Sequence, residues 1–582
     1  MEAGGSRPAA LHPSERVTDY TTRGWWTDET IGDLLRRQVQ RQPDAIAVID
    51  PPDKRDLMGV GPNRWTWTDL DAAVDRIAAQ LLRHGVKPGD LVGAQLPNCT
   101  ELVATYLATI RIGAVISPLP VQYREYELGL LAPLAGFTAF ITAGRIGERA
   151  TAQSALESLR TTESLRLLLA FGEDLPDGVV PLDAAPADAS DRSLVADHLT
   201  TFQADPNDCV TVCWTSGTES TPKAVPRCHY DWLAISRPTV EGPELTGEDV
   251  ILNPFPLVNM AAIAGTLLPW LRCGTTYVLH HPFTLPTYLR QIAEERVTYT
   301  LAPPAVLTML LQNEQLLAST DLSSLRSIAS GSAPLSPSMV RGWQDRHGIS
   351  VVNFFGSNEG ACLLGAPADF PDPEIRARYF PRYGAPGQSW HGEASKWISL
   401  RLVDLVTGKD VTEPGRPGEL RIKGPMVFAG YLPGTAGHDP FDERGYLRTG
   451  DVFQIAGDRD QYLLYVDRSK DLIIRGGMNI APAEIEALLT AHPDVAEAAV
   501  VGYPDPVLGQ KTCAIIASAP GARPDTEALL QHLRELRIAS YKLPERFVFV
   551  EALPRNPVGK ILKRELSRRL DAGELDEPVA QA

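Results

Sequence analysis

Apolar positions along the chain form two kinds of pattern, a helical repeat and short unbroken runs, and the two alternate. Leu70, Ala73, Val74, Ile77, Ala78, Leu81 and Leu82 stand at i, i+3, i+4, i+7, i+8, i+11 and i+12. That spacing makes one stripe and predicts a helix over 69–84. Thr68 can cap its start and Gly85 can end it. Residues 91–95 read as a buried strand, 101–112 as a second helix, and 114–118 as a further apolar run. Alternation of this kind predicts α/β architecture.

Two stretches break the pattern. Residues 173–197 are acidic and rich in Pro and Asp, and read as a surface connection. Residues 467–471 (DRSKD) are a polar run between strand-like 462–466 and 472–474, and read as a turn or an interdomain hinge. Beyond them the pattern becomes compact α+β. Pro482 opens a helix with Ile485, Leu488 and Leu489. Residues 495–501 read as a strand. Residues 526–537 read as a helix with Leu529, Leu530, Leu533 and Leu536 on one side, and 547–550 as another strand. About 110 residues suffice for a separate small domain. No internal repeat is present.

Composition narrows the class. At roughly 100–200 residues per domain, 582 residues allow three or four domain-sized units. The chain is 44% hydrophobic and 22% charged, ordinary for a globular protein. Fifty-five Lys and Arg face 72 Asp and Glu, a formal net charge of −17. Such an acidic protein is a poor match for non-specific nucleic-acid binding. The seven cysteines are widely spaced, with no Cys-x-x-Cys pair. A reduced, cytoplasmic compartment is expected, with no disulfide framework or structural zinc. No apolar run approaches the ~20 residues of a membrane span. Residues 1–13 hold one Arg and no apolar core of a secretory signal, and are expected to be disordered.

The first stretch with candidate chemistry is 213–225, CWTSGTESTPKAV. Thr215, Ser216, Thr218, Ser220 and Thr221 surround Gly217, with Lys223 close behind. Hydroxyls and backbone N–H groups in a tight turn make a concave donor site for phosphate oxygens, and Lys adds charge. The Walker spacing is absent. Taken locally, a plain polar turn is an equal reading. The stretch resembles the phosphate loop of the adenylate-forming enzymes, (S/T)SG(S/T)TGxPK. That family comprises acyl- and aryl-CoA synthetases, stand-alone aryl-acid adenylating enzymes, peptide-synthetase adenylation domains and luciferases. Glu219 and Ser220 depart from the pattern, and Ser in place of Gly stiffens the loop.

Further motifs resemble the family's in order along the chain, from about residue 25 to 570. Ser330, Gly331, Ser332, Ala333, Pro334 and Leu335 resemble the stretch lining the adenine and acyl pockets. Phe354, Phe355, Gly356, Ser357, Asn358 and Glu359 stand where the family has GYGxTE. By that match Glu359 holds Mg²⁺, Phe355 stacks on adenine, and Asn358 replaces a Thr that contacts the α-phosphate. Phe354 replaces a Gly beside the acyl pocket and narrows it. Thr449, Gly450 and Asp451 match a motif whose Asp accepts hydrogen bonds from the ribose hydroxyls. Arg468 then contacts ribose or phosphate, Lys470 is the hinge, and Gly476 and Gly477 lie in the loop that serves thioester formation. Pro554 to Ile561 resembles PxNxxGKI, whose Lys, here Lys560, reaches the α-phosphate and the substrate carboxylate. Asn259 stands where the family often has His, and with Met260 borders the acyl pocket. Met260 reads equally as the start of a core helix.

The resemblance implies an α/β protein with a large N-terminal domain of packed sheets and helices and a small mobile α+β C-terminal domain. The expected division is 1–24 disordered, 25–469 AMP-binding, and 470–582 C-terminal with its hinge at 470. The implied cofactors are ATP, Mg²⁺ and CoA. The implied reaction joins a carboxylic acid (aryl, alicyclic or medium-chain) to AMP and then to the thiol of CoA. Thr215, Glu359 and Lys560 are the expected catalytic residues, with Ser216, Gly217, Thr218 and Lys223 on phosphate. The alternative acceptor is the phosphopantetheine of a separate acyl carrier protein. A third reading, from another class, is a non-catalytic nucleotide-binding protein in which Ser220, Asn259 and Asn358 mark decay.

Overall fold

The computed structural model describes residues 9–215, 222–436, 439–475, 478–536, 538–556 and 560–575. Among them, the expected α/β architecture is built on four sheets. One has seven strands, in the order Val180–Leu182, Leu167–Phe171, Ala139–Ala143, Leu91–Ala94, Val115–Pro118, Cys209–Trp214 and Ala224–Cys228. Its strands are parallel up to Cys209–Trp214, which turns back through an antiparallel hairpin into Ala224–Cys228. The second sheet has eight strands, from Cys362–Gly365 and Ser350–Gly356 at one edge to Ile46–Ile49 and Arg64–Thr66 at the other. Both edges are antiparallel and the interior is parallel. Parallel strands need both faces covered, which is why their sequences are unbroken apolar runs.

The helices Trp67–Arg83 and Thr100–Arg111 pack against each other. Every residue from Thr100 to Ile110 is buried, so this helix is apolar all round rather than striped. The cap of Trp67–Arg83 differs from expectation. Thr66, not Thr68, makes a capping box with Asp69, and the Thr68 hydroxyl donates to the Pro43 carbonyl at 3.0 Å. Both threonines have an acid three residues on, but Thr68 already lies inside the helix with its hydroxyl bonded to Pro43, so the box forms at Thr66.

A third, antiparallel sheet (Tyr379–Pro381, Tyr462–Arg468, Leu447–Ala456, Pro417–Lys423, Ser399–Val403) completes the large N-terminal domain. The small C-terminal domain has its own sheet, centred on Val495–Asp505 and Gly509–Ser518. Its two faces carry separate cores, one around Ile485, Leu489, Leu529 and Leu533, the other around Leu566 and Leu570.

Two expectations are corrected. Residues 173–197 hold an edge strand, Val180–Leu182, and the start of the helix Ala189–Thr201. Asp188 caps that helix, and Arg76 pairs with both Asp183 and Asp191 at 2.9 Å, so the acidic residues have partners. Within 1–24, Ser14–Thr22 is a helix. Its order comes from distant partners. Trp26 stacks on Tyr230 with centroids 4.4 Å apart and donates to the Pro425 carbonyl at 3.0 Å. Arg16 donates to the carbonyls of Gly424 and Val427, and His12 pairs with Asp231 at 2.9 Å. No helix among the described residues is long and apolar enough to cross a membrane.

His229 opens the helix His229–Glu241, and its Nδ1 accepts the Ile31 N–H at 3.1 Å. Burial pulls its pKa down to about 4, so the folded protein holds it neutral. The unfolded chain binds this proton near pH 6.5, so folding stability should fall as pH drops from about 6.5 to about 4. The loss from this group is on the order of 3 kcal/mol. Denaturant unfolding of His229→Asn across that range should show a deficit against the parent at pH 7 that shrinks toward pH 4.5. A deficit that stays constant removes the assignment.

Candidate active site

The hairpin Cys209–Trp214/Ala224–Cys228 carries the first motif at its tip. Thr215 and Lys223 close its neck. The Thr215 N–H donates to the Lys223 carbonyl at 3.0 Å, and the Lys223 N–H to Thr215 Oγ1 at 3.3 Å. Ser216, Gly217 and Thr218 lie outside the described residues. The Lys223 ammonium sits 5.3 Å from the ring centre of Tyr431. The Tyr431 hydroxyl in turn donates to Glu359 Oε1 at 2.7 Å. The phenol engages one carboxylate oxygen and leaves the acceptor capacity of the other. A carboxylate oxygen so placed beside Lys223 is a suitable hard ligand for Mg²⁺ accompanying a polyphosphate.

Close approach holds Glu359 in place. Gly360 has φ +98°, and a β-carbon there would collide with the Met426 carbonyl. Glu359 accepts the Phe428 N–H at 3.0 Å through its main-chain oxygen. Arg227, fully buried, donates to the Asn358 carbonyl at 2.9 Å and the Met426 carbonyl at 2.7 Å. Asn358 uses its side chain structurally. Its Oδ1 accepts the Met260 N–H at 2.9 Å, and its Nδ2 donates to the Trp214 carbonyl at 3.4 Å, leaving one amide proton uncommitted. Neither Tyr431 nor the role of Arg227 is signalled in the sequence. Tyr431 lies in an ordinary apolar stretch, and Arg227 acts on carbonyls that any residue would supply.

The strands Ser327–Gly331 and Ser350–Gly356 are parallel neighbours, with Gly331 opposite Phe354. A β-carbon at Gly331 would collide with the Phe354 carbonyl. Ser330 donates to the Ala302 carbonyl at 2.8 Å. Ser332, with φ +67°, turns the chain outward, so Ser332, Ala333 and Pro334 are exposed, and Ser332 lies at the edge of an apolar cleft. Gly331, Ser332, Phe354, Phe355, Gly356 and Met260 all line it. Phe355 also meets Phe453 edge-on at 5.1 Å. Asn259 is placed apart from the lining. It caps the following helix, with Oδ1 accepting the Ala261 N–H at 3.1 Å.

Asp451 and Arg468 face each other on adjacent strands, Nε to Oδ1 3.2 Å. Asp451 is buried, and burial pushes its pKa up against the pull of Arg468 and Lys560. Lys560 thus belongs to this cluster from the other domain. It keeps contact with solvent, yet the protein around it lowers its pKa, with Arg468 adding to the fall and Asp451 and Asp471 opposing it. Its turn is held by Asn556, which accepts the Lys560 N–H at 2.8 Å and donates its own to the Lys560 carbonyl at 2.9 Å. Lys470 sits in the turn after Arg468, its pKa brought down to about 8 by surrounding protein and Arg468. Asp467 reaches across the boundary and accepts the Ala483 N–H at 2.8 Å, at the start of the helix Pro482–Thr490. Gly476 and Gly477 lie outside the described residues. A compact anionic substrate could meet Lys223 and Lys560, with Asp451 available to paired hydroxyls.

The family described as AMP-binding enzyme matches residues 35–432, and the AMP-binding enzyme C-terminal domain matches 484–560. The chain is 30% identical over 580 residues to the medium-chain fatty-acid–CoA ligase of Escherichia coli (strain K12), covering 97% of this chain and 95% of that one. It is 32% identical over 584 residues to the pyochelin synthase PchD of Pseudomonas aeruginosa, covering 98% of each. The crystal structure of ATP-bound MatB from Rhodopseudomonas palustris superposes with a TM-score of 0.75 at 26% identity, over 93% of this chain and 99% of that one.

The contact at Gly331 yields a prediction. Gly331→Ala must separate Ser327–Gly331 from Ser350–Gly356, because the obstructing atom is backbone. A loss of about 1–3 kcal/mol is expected, read as a lowered denaturation midpoint. An unchanged midpoint would mean the strands are not in this contact.

Proposed function

The chain belongs to the AMP-binding enzyme family, and on that footing we propose that it is an ATP-dependent carboxylic acid–CoA ligase. The arrangement that carries this reading is Lys560, from the C-terminal domain, drawn into the electrostatic cluster of Asp451 and Arg468. In the first half-reaction a carboxylate oxygen of the acid attacks the α-phosphorus of ATP, and pyrophosphate leaves. Two anions must meet, so catalysis rests on positioning and on charge set in place beforehand. Thr215, Ser216, Gly217, Thr218 and Lys223 would hold the phosphates. Ser332, Ala333, Pro334, Phe355 and Gly356 would line the base, and Asp451 and Arg468 would hold the ribose. Glu359, oriented by Tyr431, would hold Mg²⁺, which when bound neutralises phosphate charge. Lys560 would bridge the α-phosphate and the acid.

In the second half-reaction the thiol sulfur attacks the acyl carbon and AMP leaves. The large domain (25–469) and the small one (470–582) would pivot at Lys470, withdrawing Lys560 and presenting Gly476 and Gly477. Such exchange of faces at one site is a conformational step that can limit turnover. The cysteines are free thiols, which supports the reducing cytoplasm as its compartment. The alternative acceptor, a phosphopantetheine on a separate carrier protein, is supported by the similarity to the pyochelin synthase PchD and by Phe355 in the adenine position.

Lys560→Ala should lower acid-dependent ATP–pyrophosphate exchange by on the order of 10²–10³ while leaving ATP binding within a few fold. Exchange at the parental rate would refute its role. The acceptor is decided by supplying CoA and holo-carrier proteins separately. Free thioester and AMP are expected with CoA, and thioester on carrier protein alone would select the alternative.

A further inference from the structure

The adenylation reading leaves the acid open, and the walls of the cleft beside Phe354 restrict it. The helix His229–Glu241 contributes Ile235 and Thr239 to one wall. Packed against that helix, the chain passes from Met260–Ala262 into a π-helical turn, Ile263–Leu267, before resuming as Leu268–Cys273. A π-turn inserts extra backbone into a helix and recurs at functional sites. Here it sets Ala264 and Gly265 against the cleft, facing Leu301. A β-carbon at Gly265 would stand 3.2 Å from Leu301 Cδ2, so a larger residue there would press on Leu301, which also lines the cleft.

The chemistry of the lining is uniform. No Asp, Glu, Lys, Arg or His stands among the described lining residues. The Thr239 hydroxyl donates within its own helix, to the carbonyls of Ile235 and Ser236 at 3.2 Å. The Ser330 hydroxyl donates to the Ala302 carbonyl at 2.8 Å. Both side chains are nearly sealed, each residue being 3% exposed. The Cys362 thiol also lines the cleft, and burial holds it neutral by raising its pKa to about 12. A polar substituent deep in the cleft would exchange water for the Thr239 and Ser330 hydroxyls, whose protons are already spent, while Ser332, the third lining hydroxyl, stands exposed at the edge. A second charge would be buried unpaired.

We propose that the acid is a monocarboxylic acid whose body is wholly apolar and uncharged, and that Ala264 and Gly265 set the width of the slot that receives it. This rests on the adenylation reading. It separates the protein from activation of amino acids, dicarboxylic acids and hydroxylated aryl acids.

Matched pairs of acids test it in the intact protein. Benzoate is set against 2-hydroxy- and 4-hydroxybenzoate, 3-phenylpropanoate against phenylalanine, and octanoate against octanedioate. ATP–pyrophosphate exchange and calorimetric binding are measured for each. The apolar member should be favoured over its hydroxylated partner by about 10–100-fold in kcat/KM, with no exchange above background for phenylalanine or octanedioate. A hydroxylated or doubly charged partner that equals or exceeds the apolar one overturns the proposal. Ala264→Phe should raise KM for ring acids at least tenfold with ATP KM unchanged, and Ala264→Val should move it the same way by less. Unchanged acid KM in both would overturn the width assignment. If no acid supports exchange while calorimetry still ranks the pairs this way, the cleft assignment stands and adenylation is what fails.

Discussion

The guanidinium of Arg227, sealed in the interior, ties together the chain segments that converge on Glu359. It bonds the main chain on both sides of the close contact between Gly360 and Met426, and lies over the Trp232 ring at 4.6 Å. Burial alone pulls its pKa down, and the neighbouring Asp231 carboxylate opposes that fall. Burial likewise pushes Asp231 up, but His12 and Arg227 outweigh it and hold the carboxyl below its usual range. The three groups compensate one another. A single buried charge without such compensation would be costly by several kcal/mol. The N-terminal segment therefore takes part in the site indirectly, because His12 belongs to this network and Arg16 grips the carbonyls that precede Tyr431.

From this anchor the rest of the site follows as two charge systems, coupled through Glu359 to Asp451 and Arg468. On one side Lys223, Tyr431 and Glu359 form a chain of contacts joining the hairpin to the turn after Ser350–Gly356. On the other, Arg468 and Lys560 act on buried Asp451, and Asp471 acts on Arg468, Lys470 and Lys560. Burial, with Arg468 adding to it, lowers both lysine pKa values. The small domain contributes Lys560, and Asp467 fastens that domain's first helix.

The apolar cleft, lined by Gly331, Ser332, Phe354 and Phe355, is the chemical opposite of these clusters. The clusters offer fixed charge, whereas the buried part of the cleft offers no charged side chain and two hydroxyls already spent on the protein's own carbonyls.

Helices and strands whose apolar residues repeat locally were legible from sequence, as in the stripe from Leu70 to Leu82 and the run ending at Trp214. The candidate residues Glu359, Asp451, Arg468 and Lys560 could also be picked out from sequence, because each sits in a short motif. Tertiary structure alone decided the rest. Tyr431 reaches Glu359 across 72 positions, and Arg16 reaches Val427 across 411. Asn358 joins Met260 and Trp214 through its amide, contacts that its motif does not announce. Residues 14–22 gain order from partners far along the chain, and a π-turn, Ile263–Leu267, interrupts the helix beside the cleft. Periodicity and motif report what neighbours in the chain do. Hydrogen bonds and close approaches between distant segments exist only once the sheets have brought those segments together.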